Sequence, residues 1–303
     1  MAALRFIDIG ANLTDPMFRG IYHGKSVHVP DLDKVLSRAR NIGLERQIIT
    51  SGSLSDVREA KVVAEVADDL YYTVGVHPTR CNEFEEESVG AETYLNSLKS
   101  EIEIGGKKVV AIGECGLDYD RLHFCERETQ LKYFELQLST FASGKLPFFL
   151  HSRNAGSDFF DLMKKYPLTA GGVVHSFTGT ASELDQLLEL GLYIGVNGCS
   201  LKTSDNLAVV AKIPLERIML ETDCPWCMIK KSSAANEFVQ TRSWTSLKKE
   251  KYSGELETMV KDRCEPAQII QVAEAVAGVH QVTVAEVAEQ AWKNSMQLFF
   301  PNA

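Results

Sequence analysis

No run of this chain is apolar enough, for long enough, to cross a bilayer; every hydrophobic stretch stops short of the roughly 18 residues that a spanning helix needs. The opening residues, MAALRFIDIG, hold neither a basic leader nor an extended apolar core, so the sequence predicts a protein that is not secreted. Cysteines are few, odd in number and scattered: the seven lie at 81, 115, 125, 199, 224, 227 and 264. That pattern predicts reduced thiols inside a cell, in cytoplasm or nucleus, rather than a disulfide framework. Positive charge is in deficit, with 32 Lys and Arg against 41 Asp and Glu and a formal net charge of −9. A coat protein that grips nucleic acid by bulk electrostatics is thereby excluded. An enzyme whose bound cations supply local positive charge is not.

What is present is a regular alternation of apolar runs and amphipathic stretches. Strands are predicted at 5–12, 46–51, 71–77, 108–114, 146–151, 171–175, 192–197 and 217–223, their ends 22 to 39 residues apart, room for one helix each time. Leu32, Val35, Leu36, Ala39 and Ile42 recur at helical spacing, as do Leu184, Leu187, Leu188 and Leu190. Thr180–Glu183 and Thr283–Glu286 read as capping boxes, Gly191 ends the helix that the first one opens, and Pro167 closes the stretch 158–166. An open doubly wound sheet would carry a Gly-rich phosphate loop after its first strand, and LTDPMFRG is not one. The expected fold is therefore a single-domain (β/α)8 TIM barrel over residues 1–303. One long polar segment, 225–266, interrupts the rhythm after the last strand; it carries Lys230, Lys231, Lys248, Lys249, Lys251, Trp226, Trp244 and Tyr252 and is a candidate lid or substrate platform on the catalytic face.

Four apolar runs close on metal-binding residue types: Glu114, His151, His175 and Asp223. In a barrel the C-terminal strand ends converge, so residues scattered over 109 positions can meet there. A mixed set of imidazole and carboxylate suits divalent ions, and a pair of ions can activate water and stabilise both oxygens of a phosphoryl transfer. In that arrangement Glu114 bridges two ions, the histidines hold one, and Asp223 ligates the other and takes a proton from water. Around this set stand secondary candidates. Arg153 has the planar fork to clamp a phosphate or to form a surface salt bridge. Asp118 and Asp120 are either ligand-orienting carboxylates or turn residues. Cys224 and Cys227 have redox-motif spacing, a weak signal here because they follow the last strand. His23, His28, His123 and His280 read as structural or surface residues.

The phrases FIDIGANLTD (6–15), GVHPTRC (75–81), AIGECGLDYDR (111–121), LPFFLHSR (146–153), VVHSFTG (173–179), YIGVNGCSLK (193–202) and ETDCPW (221–226) resemble those of the TatD-related deoxyribonucleases, a branch of the metal-dependent amidohydrolases. The resemblance spans the chain and is nearest to the eukaryotic TatD-like DNase-domain proteins. It implies that Glu114, His151, His175 and Asp223 ligate metal, that His77 lies near the substrate phosphate, and that the reaction is hydrolysis of DNA phosphodiester bonds by metal-activated water, from the 3′ end. The implied partner is DNA, single-stranded or at 3′ ends, with no membrane and no protein partner inferable. A small-molecule amidohydrolase opening lactones or amides is the alternative. Many family members carry Asp-x-His-x-His at the end of the first strand; here the phrase is Asp8–Ile9–Gly10–Ala11–Asn12, as in a subset of the family. Without those two imidazoles, one site is left to carboxylate, the Asn12 oxygen and water. Oxygen ligands favour Mg²⁺ or Mn²⁺ there, with Zn²⁺ confined to the histidine site.

Overall fold

A computed structural model of the protein describes residues 4–86, 90–242 and 244–302. The eight predicted strands are present as β1 (Phe6–Ala11), β2 (Leu44–Ile49), β3 (Leu70–Val74), β4 (Val109–Asp118), β5 (Phe148–Arg153), β6 (Gly172–Val174), β7 (Tyr193–Val196) and β8 (Ile218–Leu220). They form one sheet in chain order, parallel from β3 through β7. Their side chains are buried along almost their whole length, as expected of parallel strands covered on both faces. The first and last strands are joined at their ends: Asp223 N–H donates to the Gly10 carbonyl at 2.8 Å and Asn12 N–H to the Cys224 carbonyl at 2.9 Å.

A helix follows every strand: α1 (Leu32–Asn41), α2 (Leu54–Ala64), α3 (Ala91–Gly105), α4 (Arg127–Phe141), α5 (Gly156–Lys165), α6 (Ala181–Glu189), α7 (Ser204–Val210) and α8 (Ile269–His280), with α9 (Val284–Phe299) closing the chain. The fold is the expected (β/α)8 barrel. Both capping boxes form. Thr180 Oγ1 accepts from Glu183 N–H while the Glu183 carboxylate accepts from Thr180 N–H at 2.7 Å, and Thr283 and Glu286 repeat the exchange. Gly191, left-handed at φ +74°, ends α6.

Two compact units make up the chain: residues 1–47 with 195–294, and residues 48–194 with 295–303. The first contains the segment 225–266, which departs from a plain loop. Thr245–Leu247 and Thr258–Val260 pair as a short parallel ribbon. Behind it lies a buried ion cluster: Arg263 donates to Asp31 at 2.6 and 2.8 Å and to Glu265 at 2.9 Å, and Arg38 donates to Glu265 at 2.8 and 3.0 Å. Two cations balance two anions, so removing any one partner would strand a buried charge, a loss of about 3–5 kcal/mol. Arg38 occupies the apolar face of α1, where periodicity alone predicts a hydrophobe.

In the second unit β4 runs past its predicted end at Glu114 to Asp118. Its register against β5 shifts between Gly113 and Cys115, so Glu114 sits in a bulge. A bulge re-aims one side chain without breaking the strand. Glycine at 113 permits it: the backbone there has φ +143°, and a Cβ would lie 2.2 Å from the Phe149 carbonyl oxygen.

Candidate metal centre

In the second unit the bulged Glu114 meets the histidines of the next two strands. Glu114 Oε1 lies 2.8 Å from His151 Nδ1 and 2.8 Å from His175 Nε2, and those two nitrogens are 3.3 Å apart. His151 belongs to β5, and His175 follows β6 directly, its N–H bonded to the Leu150 carbonyl at 3.0 Å. Glu114, 13 % exposed, is the opening of an otherwise buried cluster.

The protonation of the rings follows from their outer partners. His151 Nε2 lies 3.0 Å from Asp118 Oδ2, and a buried carboxylate can only accept, so Nε2 carries the proton. That leaves the Nδ1 lone pair facing Glu114 and His175. A carboxylate and two imidazoles gathered this closely are a donor set suited to a divalent ion. Asp118 is the outer carboxylate that orients a ligating histidine. It is fully buried, also accepts from Arg153 at 3.3 Å, and lies 3.7 Å from Arg121. Although burial opposes it, the hydrogen bond and charge of His151, with Arg153 and Arg121, hold the Asp118 pKa below the usual carboxylate value. Burial likewise opposes ionisation of Glu114, but the imidazoles of His175, His77 and His151 around it keep its pKa well below that range.

His77 differs from the other two histidines. Its Nδ1 accepts from Thr79 N–H at 3.1 Å and lies 2.7 Å from the Thr79 hydroxyl. The ring proton therefore sits on Nε2, which points at Glu114 Oε1 from 3.4 Å. Burial pushes its pKa down to about 3, so the ring is neutral at physiological pH. A neutral ring presenting N–H is a hydrogen-bond donor, not a ligand.

Asp223 lies in the first unit, three residues past β8, at φ +49°, a left-handed conformation that Asp tolerates better than most side chains. Its Oδ1 accepts from Asn12 Nδ2 at 2.9 Å and its Oδ2 from the Cys227 thiol at 3.2 Å. The same Asn12 amide nitrogen also reaches the Cys224 carbonyl at 3.0 Å. With acceptors on both contacts, that atom must be the NH₂ group. Through that NH₂ group Asn12 orients Asp223. Next to it, Asp8 is fully buried and accepts from Thr222 N–H at 3.0 Å, Thr222 Oγ1 at 2.6 Å and Gly10 N–H at 3.2 Å, tying β1 to the turn that carries Asp223.

Other expectations resolve individually. Cys224 is buried and its N–H donates to Thr222 Oγ1 at 3.3 Å, whereas the Cys227 sulfur lies 2.6 Å from that of Cys199; Cys227 faces Cys199, not its C-x-x-C neighbour, and all three thiols are free. Arg153 is bound to a buried carboxylate rather than to a surface partner. Asp120 is a turn residue whose carboxylate accepts from Asn154. His28 is buried between Tyr22 and Tyr252, and His280 meets the Val210 carbonyl at 3.1 Å, both structural. Sequence reasoning left Asp118 undecided, weighed Cys227 only for redox-motif spacing and missed Thr79; the four-residue step from Glu114 to Asp118 along one strand was the available signal for the first.

Comparison with known proteins agrees with the motifs. The family described as TatD related DNase matches residues 7–300. The chain is 46% identical over 301 residues to a protein of Schizosaccharomyces pombe named deoxyribonuclease Tat-D, covering 98% of this chain and 96% of that one. It is 38% identical over 228 residues to an Edwardsiella piscicida protein named 3′-5′ ssDNA/RNA exonuclease TatD, covering 73% and 80%. The crystal structure of a TatD family hydrolase from Entamoeba histolytica superposes with a TM-score of 0.92 at 41% identity over the whole of both chains. With its metal-type cluster, its barrel and its motifs all in agreement, the chain belongs to the family of TatD-related deoxyribonucleases.

Proposed function

We propose that this protein is a metal-dependent exonuclease that hydrolyses DNA phosphodiester bonds from the 3′ end. The observation that carries this reading is the convergence of Glu114 Oε1, His151 Nδ1 and His175 Nε2 within 3.3 Å of one another. Those three groups would hold a divalent ion, whose Lewis acidity would lower the pKa of water and offset charge on phosphate oxygen. A second ion is assigned to carboxylate oxygen and water, and hence to Mg²⁺ or Mn²⁺. Neutral His77 donates its Nε2 proton in a hydrogen bond to a phosphate oxygen, and Arg153, steadied by Asp118, supplies a planar cation to the same group. Asp223 accepts the proton of the attacking water; its place just past the last strand and the ETDCPW motif support that role. The 3′-to-5′ direction rests on the name of the bacterial relative.

A single-stranded oligonucleotide labelled at its 5′ end, incubated with Mg²⁺, tests the proposal. The expected product is a ladder shortened one nucleotide at a time from the 3′ end, abolished in Glu114→Ala and Asp223→Asn. Activity unchanged in both variants would sink the assignment. A protein that leaves DNA intact but opens lactones or amides would establish the small-molecule alternative instead.

A further inference from the structure

Within the first unit, the segment after the last strand encloses a cavity of about 590 Å³, inside the range of about 300–1,000 Å³ typical of small-molecule sites. One wall is the parallel ribbon, through Ser246, Met259 and Val260; Met228 and Ile229 add apolar surface, and Trp244 lines it as the one aromatic ring. Lys230, Lys231, Lys261 and Arg242 surround this apolar floor, with Asp262 as the sole acidic member of the lining. Arg263 also touches the cavity, but its charge is spent on Asp31 and Glu265.

Three lysines and an arginine gather at this one concavity. Among the described residues, Lys230, Lys231 and Lys261 pair with no carboxylate. Crowding unpaired ammonium groups around one hollow costs free energy unless an anion enters it. A ligand matching both parts has an anionic end for the lysines and a flat apolar body for Trp244 and the two methionines. Base–aromatic stacking combined with a cationic rim is how single-stranded nucleic acid is held without regard to sequence. The buried ion cluster directly behind the ribbon keeps these walls preformed.

We infer that this cavity is a second nucleotide-binding site, separate from the hydrolytic cluster, which takes a nucleoside monophosphate unit by stacking its base on Trp244 and pairing its phosphate with Lys230, Lys231 and Lys261. The inference rests on the proposed nuclease function for its biological sense, since both a non-reacting part of the strand and a released nucleotide carry this chemistry.

The test uses the full chain in chelator, where no hydrolysis proceeds, with deoxyadenosine 5′-monophosphate, oligothymidylates of increasing length, and inorganic phosphate as probes. Binding is followed by tryptophan fluorescence and by calorimetry. Saturable quenching by the mononucleotide assigns the site to the released product; quenching by oligothymidylate alone assigns it to the strand. Either result supports the site if Lys230→Ala with Lys261→Ala weakens binding at least tenfold, and if Trp244→Phe removes the quenching while calorimetry still detects the ligand. No binding of either nucleotide probe overturns the inference. So does inorganic phosphate binding as tightly as the mononucleotide, because the aromatic wall would then contribute nothing. The DNA ladder assay, run in parallel on the unmodified protein with Mg²⁺, keeps the two readings apart. Nucleotide binding without hydrolysis defeats the nuclease proposal and leaves the site; hydrolysis without binding here does the reverse.

Discussion

Two strand-end clusters carry opposite electrostatic designs. Around Glu114, in the second unit, a carboxylate and two imidazole nitrogens gather at 2.8 to 3.3 Å, and Asp118 turns the lone pair of His151 Nδ1 towards that group. Around Asp223, in the first unit, the carboxylate faces donors, an amide on one oxygen and a thiol on the other. The first arrangement gathers acceptors where a cation would sit; the second surrounds a carboxylate with donors. A strand-end carboxylate is therefore not a metal ligand by position alone. Its neighbours decide whether it is primed for an ion or held ready for a proton. In this chain the usual first-strand histidine pair is replaced by Gly10 and Asn12, and Asn12 is the residue that supplies the amide donor.

The sharpest break between the two clusters comes from Glu114→Gln. Removing the shared carboxylate should cost on the order of a thousandfold in turnover and abolish tight metal binding in equilibrium dialysis, because the amide no longer offsets the ion's charge. If the variant still binds metal tightly, the lone-pair reading of that cluster fails. Next in size is Asp118→Asn, which leaves His151 without its carboxylate partner. Metal affinity should fall about 10- to 100-fold in a competitive titration with a fluorescent chelator, and unchanged affinity would demote Asp118 to a turn residue.

Asn12→Ala acts on the other side of the comparison. Loss of one hydrogen bond to a charged group, about 1.5–3 kcal/mol, should lower turnover roughly tenfold or somewhat more while leaving metal affinity at the histidine cluster as it was. A parallel fall in metal affinity would erase the distinction between the clusters. The smallest effect is expected for Cys227→Ser, since a hydroxyl still donates to Asp223; steady-state rates should stay within about threefold of the parent, with Cys227→Ala lower than Cys227→Ser. Equal rates for both variants would show that the thiol's hydrogen bond does not matter to Asp223.

Much of this architecture is legible in the chain before any fold is known. Apolar runs separated by helix-sized gaps locate all eight strands, because a parallel strand buried on both faces must be apolar throughout and its crossover needs a helix. Capping boxes at Thr180 and Thr283 are local, three residues wide, and so survive any tertiary arrangement. Residue types at Glu114, His151 and His175 were equally plain. What escaped were features made by residues far apart. Arg38 sits in an apolar helix face because Asp31, Glu265 and Arg263 complete its charge, partners up to 227 positions away. The segment 225–266 looked like an exposed loop because its ribbon strands are three residues each, below the length at which alternation is readable. Tyr252, grouped by sequence with Trp226 and Trp244 as part of that segment, is buried and packs edge-on against His28.

By itself, then, the order of residues determined the barrel and the chemical types at its strand ends. Periodicity and composition act locally, and a repeating local pattern permits few folds. Only the tertiary structure decided what those end residues do. The proton on His151 is set by Asp118, that on His77 by Thr79, and the direction of the Asn12 amide by Asp223 and the Cys224 carbonyl together. Each is a choice between donor and acceptor, and that choice belongs to the partner a side chain meets in space rather than to the side chain.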